Sequence, residues 1–318
     1  MNLKLLLVTL LTALFAGNQS TNSSQETAQS FSVESSGLMV HGDVVFQIAE
    51  ISTNQNITPP LVILAGGSNG GFWFGSFGQE LLENGFSVML LSYFGQEDQP
   101  EHLIERPIEP LANIIQLART TRNSQRRCLA LVGVSKGGEL TLLLTAYDEL
   151  LTNSVMPLVD AAVAAVPSHV VWQAPHISLR TRSSWSMEGE PMDFVPYPWL
   201  SGYLPDVFFN RLEVGRYVLD ALRNEEAAEH AAIPVEDIRV PTLMIAGSED
   251  LMWPSEQMSK AAMERANRLN PDTPLRLDIR ELDHFVMSDE QTRSDAIDFL
   301  EEVLISAQAD GKCTADFG

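Results

Sequence analysis

Short apolar runs recur along the chain, with polar or glycine-rich turns after them and segments of helical spacing between them. The runs are Leu61-Val62-Ile63-Leu64, Phe86 to Tyr93, Leu129 to Val132, Asp160 to Val166 and Pro241 to Ala246, and the alternating stretch Leu275 to Ile279 follows as the last strand. They read as strands, most of them nearly continuous in apolar residues, as strands covered on both faces are. The segments between them predict helices ending near Leu82, over Ile108 to Arg119, and over Pro254 to Leu269. A last helix is expected over Asp289 to Ile305. Leu140, Leu142, Leu143, Leu144, Tyr147, Leu150 and Leu151 give the stretch after Ser135 the look of an amphipathic helix. Strands alternating with helices predict a mostly parallel central sheet flanked by helices.

Two regions depart from this rhythm. From Phe31 to Ile48 apolar and polar residues alternate between Gly37 and Gly42-Asp43, which predicts short antiparallel strands at the sheet's entrance. Residues 167–239 are rich in proline and in aromatics, among them Trp172, Trp185, Phe194, Tyr197, Trp199, Tyr203, Phe208 and Phe209. That length is too great for an ordinary connection and reads as a cap-like insertion over the site. The expected organisation is therefore one α/β domain over 31–306, carrying that insertion, with a flexible tail over 307–318.

Candidate chemistry centres on Gly133-Val134-Ser135-Lys136-Gly137, a G-x-S-x-G pentapeptide between a strand and a helix. Such a turn presents a serine at a helix N-terminus, where free N–H groups and the dipole favour negative charge. The pentapeptide also occurs as an incidental glycine-rich turn. A serine hydroxyl needs a base, and the base needs an acid to fix its tautomer; in α/β-hydrolase order the acid follows the serine and the histidine comes last. Of the six histidines only His284 has that place. Asp250, after the strand ending at Ala246, is preferred as the acid over Glu249 and over Asp283, which adjoins the histidine. His169 and His176 lie in the insertion.

An oxyanion needs two backbone donors. One is expected at Lys136 and the other at Ser68 or Asn69 in the loop Gly66 to Gly71. That loop lacks G-K-[ST], so a phosphate-binding reading is weak. Phe72 and Trp73, with Trp185, are candidate walls of a substrate pocket.

Composition narrows the partners. The 318 residues carry a formal net charge of -22, which disfavours nucleic acid and anionic membranes as partners. Met1 to Lys4 is a short positive start and Leu5 to Phe15 is mostly apolar, so 1–17 reads as an export signal and 18–30 as a disordered polar leader. Export to the periplasm or the exterior, with no stable membrane insertion after signal removal, is the expectation. The two cysteines, Cys128 and Cys313, are compatible with a bridge in an oxidising compartment. No C-x-x-C and no histidine pair at ligand spacing is present, so neither a metal nor another cofactor is assigned.

Two runs carry a resemblance, Leu91-Ser92-Tyr93-Phe94-Gly95-Gln96-Glu97-Asp98-Gln99-Pro100 and Gly133-Val134-Ser135-Lys136-Gly137-Gly138-Glu139. Ile233-Pro234-Val235-Glu236-Asp237-Ile238, Gly247-Ser248-Glu249-Asp250 and Trp253 add to it. Together they resemble the catalytic domain of the acyl-CoA thioesterase and bile acid-CoA:amino acid N-acyltransferase family. The resemblance implies an α/β-hydrolase fold and, by motif, Ser135, Asp250 and His284 as nucleophile, acid and base. Serine at the first position resembles the hydrolytic members; the conjugating members use cysteine. The family's animal thioesterases carry a β-sandwich domain ahead of the catalytic one, whereas the strands before Leu61 are read here as part of the hydrolase sheet. The expectation is an exported serine hydrolase of carboxylic esters or thioesters that acts on a small acyl substrate. An acyltransferase to an amine or alcohol and a non-catalytic binding protein are the alternatives.

Overall fold

The computed structural model describes residues 32–52, 58–119, 127–175, 181–198 and 214–309. The segments expected as export signal and leader, together with His176, Trp199, Tyr203, Phe208, Phe209 and Cys313, lie outside them. Three antiparallel strands open the sheet: β1 (Ser32–Ser35), β2 (Met39–His41) and β3 (Val44–Ser52). Six parallel strands follow: β4 (Leu61–Ala65), β5 (Ser87–Ser92), β7 (Leu129–Val134), β8 (Ala161–Ala165), β11 (Thr242–Gly247) and β12 (Leu275–Arg280). The order across the sheet is β1-β3-β5-β4-β7-β8-β11-β12, with β2 paired to β3. Leu61–Ala65 and Ala161–Ala165 are buried at every position, as the unbroken apolar runs require. Each fully buried Val, Leu or Ile there contributes about 1.5–3 kcal/mol.

Helices cover both faces. They are α1 (Gly75–Glu83), α2 (Glu109–Ala118), α3 (Lys136–Ala146), α4 (Asp148–Thr152), α5 (Val214–Leu222), α6 (Glu225–His230), α7 (Ser255–Leu269) and α8 (Glu290–Ala309). In α2, Pro110 fits the first turn, where its missing N–H costs nothing, and Leu111, Ala112, Ile114, Ile115 and Ala118 form the buried face. The final helix runs to Ala309, four residues beyond the end that its periodicity predicts.

The segment after Ser135 is not the amphipathic helix its leucines suggest. Every residue from Lys136 to Ala146 is buried, the chain breaks at Tyr147 into α4, and Leu150 is 71% exposed. A helix covered on all sides must satisfy its polar groups internally. Thr141 and Thr145 do so by donating back to the carbonyls of Gly137 and Thr141 at 2.8 Å, and Lys136 pairs with Glu139.

The insertion is woven into the domain. β9 (Trp185–Met187) pairs in parallel with β6 (Arg106–Pro107), a short strand that follows the loop after β5, and antiparallel with β10 (Glu190–Pro191). Val170, Trp172, Val195, Val218, Ala221 and Ala231 form a second apolar cluster with Trp253 and Met258. The Trp172 and Trp253 rings are 5.2 Å apart, so the insertion packs directly on the loop after β11. Cys128, fully buried just before β7, is disulfide-bonded. Among the described residues no helix is long and apolar enough to cross a membrane.

Candidate active site

Chain connections leave β4 toward β5 on one side and β7 toward β8 on the other, so the strand order reverses between β4 and β7. Crevices form beyond the carboxyl ends of strands at such a point. Ser135 emerges there, one residue past Val134, which pairs with Ala165. Its backbone lies at φ 58°, ψ −116°, a conformation a non-glycine residue adopts only at a cost of about 1–3 kcal/mol. The fold holds it with two bonds, Ser135 N–H to the Ala165 carbonyl at 2.9 Å and Glu139 N–H to the Ser135 carbonyl at 3.0 Å.

Both motif glycines are required by close approach. A Cβ on Gly133 would lie 1.9 Å from the Gly137 carbonyl oxygen. One on Gly137 would lie 2.3 Å from the Ala65 oxygen and 2.5 Å from that of Gly66. The helix N-terminus is thus pressed against the end of β4, and the Gly66–Gly71 loop is brought to the serine.

In that loop Gly67 is the residue set against the serine, where an added Cβ would meet Ser135 Cβ at 3.2 Å. Ser68 and Asn69, the donors nominated from sequence, occupy the exposed tip of a turn closed by Gly70 N–H to the Gly67 carbonyl at 3.3 Å. Trp73 stacks on Phe77 with ring centroids 5.8 Å apart and, like Phe72, is half-buried. Trp185 is no open pocket wall. It is fully buried in the main core and its indole N–H donates to Glu139 Oε1 at 2.8 Å.

The loops after β11 and β12 meet each other. Ser248 N–H donates to the Arg280 carbonyl at 2.8 Å, and Glu249 N–H to that of Leu282 at 3.0 Å. Asp250 and His284 are thereby joined, with His284 Nδ1 2.8 Å from Asp250 Oδ2. The Asp250 carboxylate is buried and fully satisfied. Oδ1 accepts from the N–H groups of Met252 at 3.1 Å and Trp253 at 2.7 Å, and Oδ2 also accepts from Ser255 Oγ at 2.9 Å. A carboxylate in that role only accepts, so Nδ1 carries the imidazole proton and Nε2 is left with a free lone pair. Glu249 is exposed, and Asp283 accepts from Phe285 N–H at 2.8 Å. Of the three candidate acids only Asp250 reaches the imidazole.

Sequence reasoning missed Ser255, Glu139 and Tyr93. Lys136 Nζ lies 2.8 Å from both oxygens of Glu139, whose Oε1 also accepts from Trp172 N–H at 3.3 Å. Burial pushes the Glu139 carboxyl up and the Lys136 ammonium down, and each charge opposes the shift of the other. Burial also raises the Tyr93 phenol, with the Glu139 charge adding to it, so that its hydroxyl stays a donor. It donates to the Gly66 carbonyl at 2.5 Å. His169 has a buried Nδ1 without a partner among the described residues. Arg182 is ion-paired with Glu105.

The family model described as BAAT / Acyl-CoA thioester hydrolase C terminal matches residues 109–278, just over half of the chain. The matched span includes Ser135 and Asp250 and stops short of His284. Human acyl-coenzyme A thioesterase 6 is 26% identical over 194 residues, 61% of this chain and 41% of the relative. Rat acyl-coenzyme A thioesterase 1 is 24% identical over 210 residues, 65% of this chain and 44% of the relative. The chain therefore spans less than half the length of these curated relatives. Among solved structures, a Pyrococcus furiosus esterase aligns with a TM-score of 0.53 at 14% identity, covering 89% of this chain and 100% of that one. A Pyrococcus horikoshii acylaminoacyl peptidase aligns with a TM-score of 0.56 at 14% identity, covering 91% and 43%. At that identity the likeness is one of fold, and the fold is that of the α/β-hydrolases.

Proposed function

The chain belongs to the BAAT / acyl-CoA thioester hydrolase C-terminal family, and from that premise we propose that it is an exported serine hydrolase of carboxylic esters or thioesters. The observation that carries the reading is the 2.8 Å pairing of His284 with a fully satisfied Asp250, at the sheet edge from which the strained Ser135 emerges.

In this mechanism His284 Nε2 takes the Ser135 hydroxyl proton as Oγ attacks the acyl carbon, and Asp250 stabilises the imidazolium. The tetrahedral oxyanion is met by the N–H of Lys136, at the start of α3, and by that of Gly67. Collapse breaks the bond to the leaving oxygen or sulfur, which departs with the proton from His284. Water then gives a proton to His284 and attacks the acyl-enzyme, releasing the acid and restoring Ser135. No cofactor takes part.

Charge around the site supports an uncharged leaving group over the polyanionic coenzyme A. The loops over 66–74, 93–105, 248–254 and 281–289 contain no Lys or Arg. They expose Glu97, Asp98, Glu101, Glu249, Glu281 and Asp283, and clustered charge of one sign repels a like-charged ligand. A disulfide-bonded Cys128 supports export, since such bonds persist in oxidising compartments. The test is a panel of p-nitrophenyl esters and acyl thioesters of varied chain length, with products separated in the presence of competing amines and alcohols. Free acid as the sole product supports hydrolysis; acyl amides or new esters would replace it with acyl transfer.

A further inference from the structure

A trans peptide unit is a rigid plane whose C=O and N–H point in opposite directions. The bond from the Tyr93 hydroxyl to the Gly66 carbonyl therefore aims the N–H of Gly67, the loop residue set against Ser135. The rest of the loop is tied to the same strand end, with Gly71 N–H donating to the Phe94 carbonyl at 2.9 Å.

Tyr93 is itself held by a buried chain of contacts. Its ring lies 5.3 Å from that of Trp185, whose indole N–H is fixed on Glu139 at 2.8 Å. Glu139 grips the Lys136 ammonium, which stands 5.9 Å from the centre of the Trp185 ring. The backbone N–H of that same Lys136 is the other oxyanion donor of the proposed mechanism. The path thus runs from one donor to the other through residues that are all nearly or wholly buried. Packing alone does not call for these polar atoms. A phenylalanine would fill the Tyr93 site, and a buried ion pair is often no more stabilising than an apolar pair of its size. Alignment of the two donors is a role that does require them.

We propose that Tyr93 is a positioning residue for the oxyanion hole, acting through the Gly66–Gly67 peptide and held in register with Lys136 by Trp185 and Glu139. The proposal rests on the serine-hydrolase reading. Tyr93 touches no reacting atom, and the insertion that supplies Trp185 becomes part of the catalytic frame.

The test is Tyr93→Phe in the full chain, assayed with a short-chain p-nitrophenyl ester. We expect kcat to fall about ten-fold or more while KM stays within about two-fold, the pattern of an interaction made only in the transition state. Affinity for a trifluoromethyl ketone, which adds to the serine and places an oxyanion in the hole, should fall in step with kcat/KM. Affinity for the corresponding secondary alcohol should hold, and the melting temperature should fall by no more than the few degrees that loss of one buried hydrogen bond costs. Trp185→Phe, which keeps a ring but removes the N–H on Glu139, should shift kcat and ketone affinity the same way by less. A Tyr93→Phe enzyme with unchanged kcat and ketone affinity overturns the proposal. So does a fall matched by equal losses of alcohol binding and melting temperature, because that marks a packing role. A wild-type protein without hydrolase activity defeats the serine-hydrolase reading, and this inference with it.

Discussion

Ser255 and His284 share one oxygen of Asp250: Ser255 Oγ donates to Oδ2 at 2.9 Å, and His284 Nδ1 lies 2.8 Å from the same atom. The other oxygen is held by two backbone N–H groups of its own loop. Asp250 is thereby fixed before it meets the imidazole, and the tautomer of His284 follows from that fixation.

Asp250→Asn keeps the shape but offers an N–H or a weak acceptor to Nδ1, so the wrong tautomer is favoured. The expected loss in kcat is on the order of 10³–10⁴-fold with little change in KM. Ser255→Ala removes one of four bonds to the carboxylate and should cost about ten-fold. Steady-state kinetics on one ester substrate checks both; similar small effects for the two variants would separate Asp250 from the chemistry.

Gly137→Ala tests why the elbow is built as it is. The added methyl would sit 2.3 Å from the Ala65 carbonyl oxygen, where the obstacle is backbone and cannot swing away. The fold should lose about 1–3 kcal/mol or more, with Ser135 displaced from the crevice. Denaturant unfolding gives the stability change. A variant as stable and as active as the wild type would show that strand and helix are not in this contact.

A pH limb should come from His169. Burial, with the Arg265 charge adding, lowers its pKa from 6.5 to about 4. The unfolded chain therefore binds the proton more readily than the native one between those values. Stability contributed by neutral His169 is present above about pH 6.5 and is lost as pH falls toward 4, by on the order of 3 kcal/mol in all. His169→Gln should flatten that acid limb in melting curves taken from pH 7 to pH 4. A variant curve parallel to the wild type would assign the limb elsewhere.

The acidic loops around the site predict a salt effect on substrate choice. Turnover of a coenzyme A thioester should be weak at low ionic strength and rise with added salt as the repulsion is screened, while a neutral ester of the same acyl group stays nearly constant. Measuring kcat/KM for both between 10 mM and 500 mM salt decides it. A thioester rate that falls with salt would reveal a cationic subsite instead.

Much of the fold was legible because five of the six parallel strands are short, largely apolar runs with their own turns, and the sixth, β12, alternates apolar and charged residues as a half-covered edge strand does. Ser135, Asp250 and His284 stood out as candidates for a related reason, since each follows the end of a strand, and the structure pairs two of them, Asp250 with His284. What escaped was set by tertiary burial. The leucines after Ser135 read as one face of an amphipathic helix, yet the helix is enclosed on all sides and its charges, Lys136 and Glu139, pair with each other. Trp185 read as a pocket aromatic because nothing in its neighbourhood announces a partner 46 residues away. The loop's backbone donor was expected at Ser68 or Asn69, whereas the close approach to Ser135 is made by Gly67, whose usefulness lies in having no side chain. The matching hydroxyl on Tyr93 is 26 residues further on, and only strand pairing brings it to the loop.

An activated Ser135 reacts with a fluorophosphonate probe, which labels the nucleophile covalently. The purified protein should label at one site, mapped by mass spectrometry to the peptide containing Ser135. Labelling should vanish in Ser135→Ala and drop by on the order of 10³-fold or more in His284→Ala. A wild-type protein that stays unlabelled, or a Ser135→Ala variant that labels equally well, would show that Ser135 is not the nucleophile.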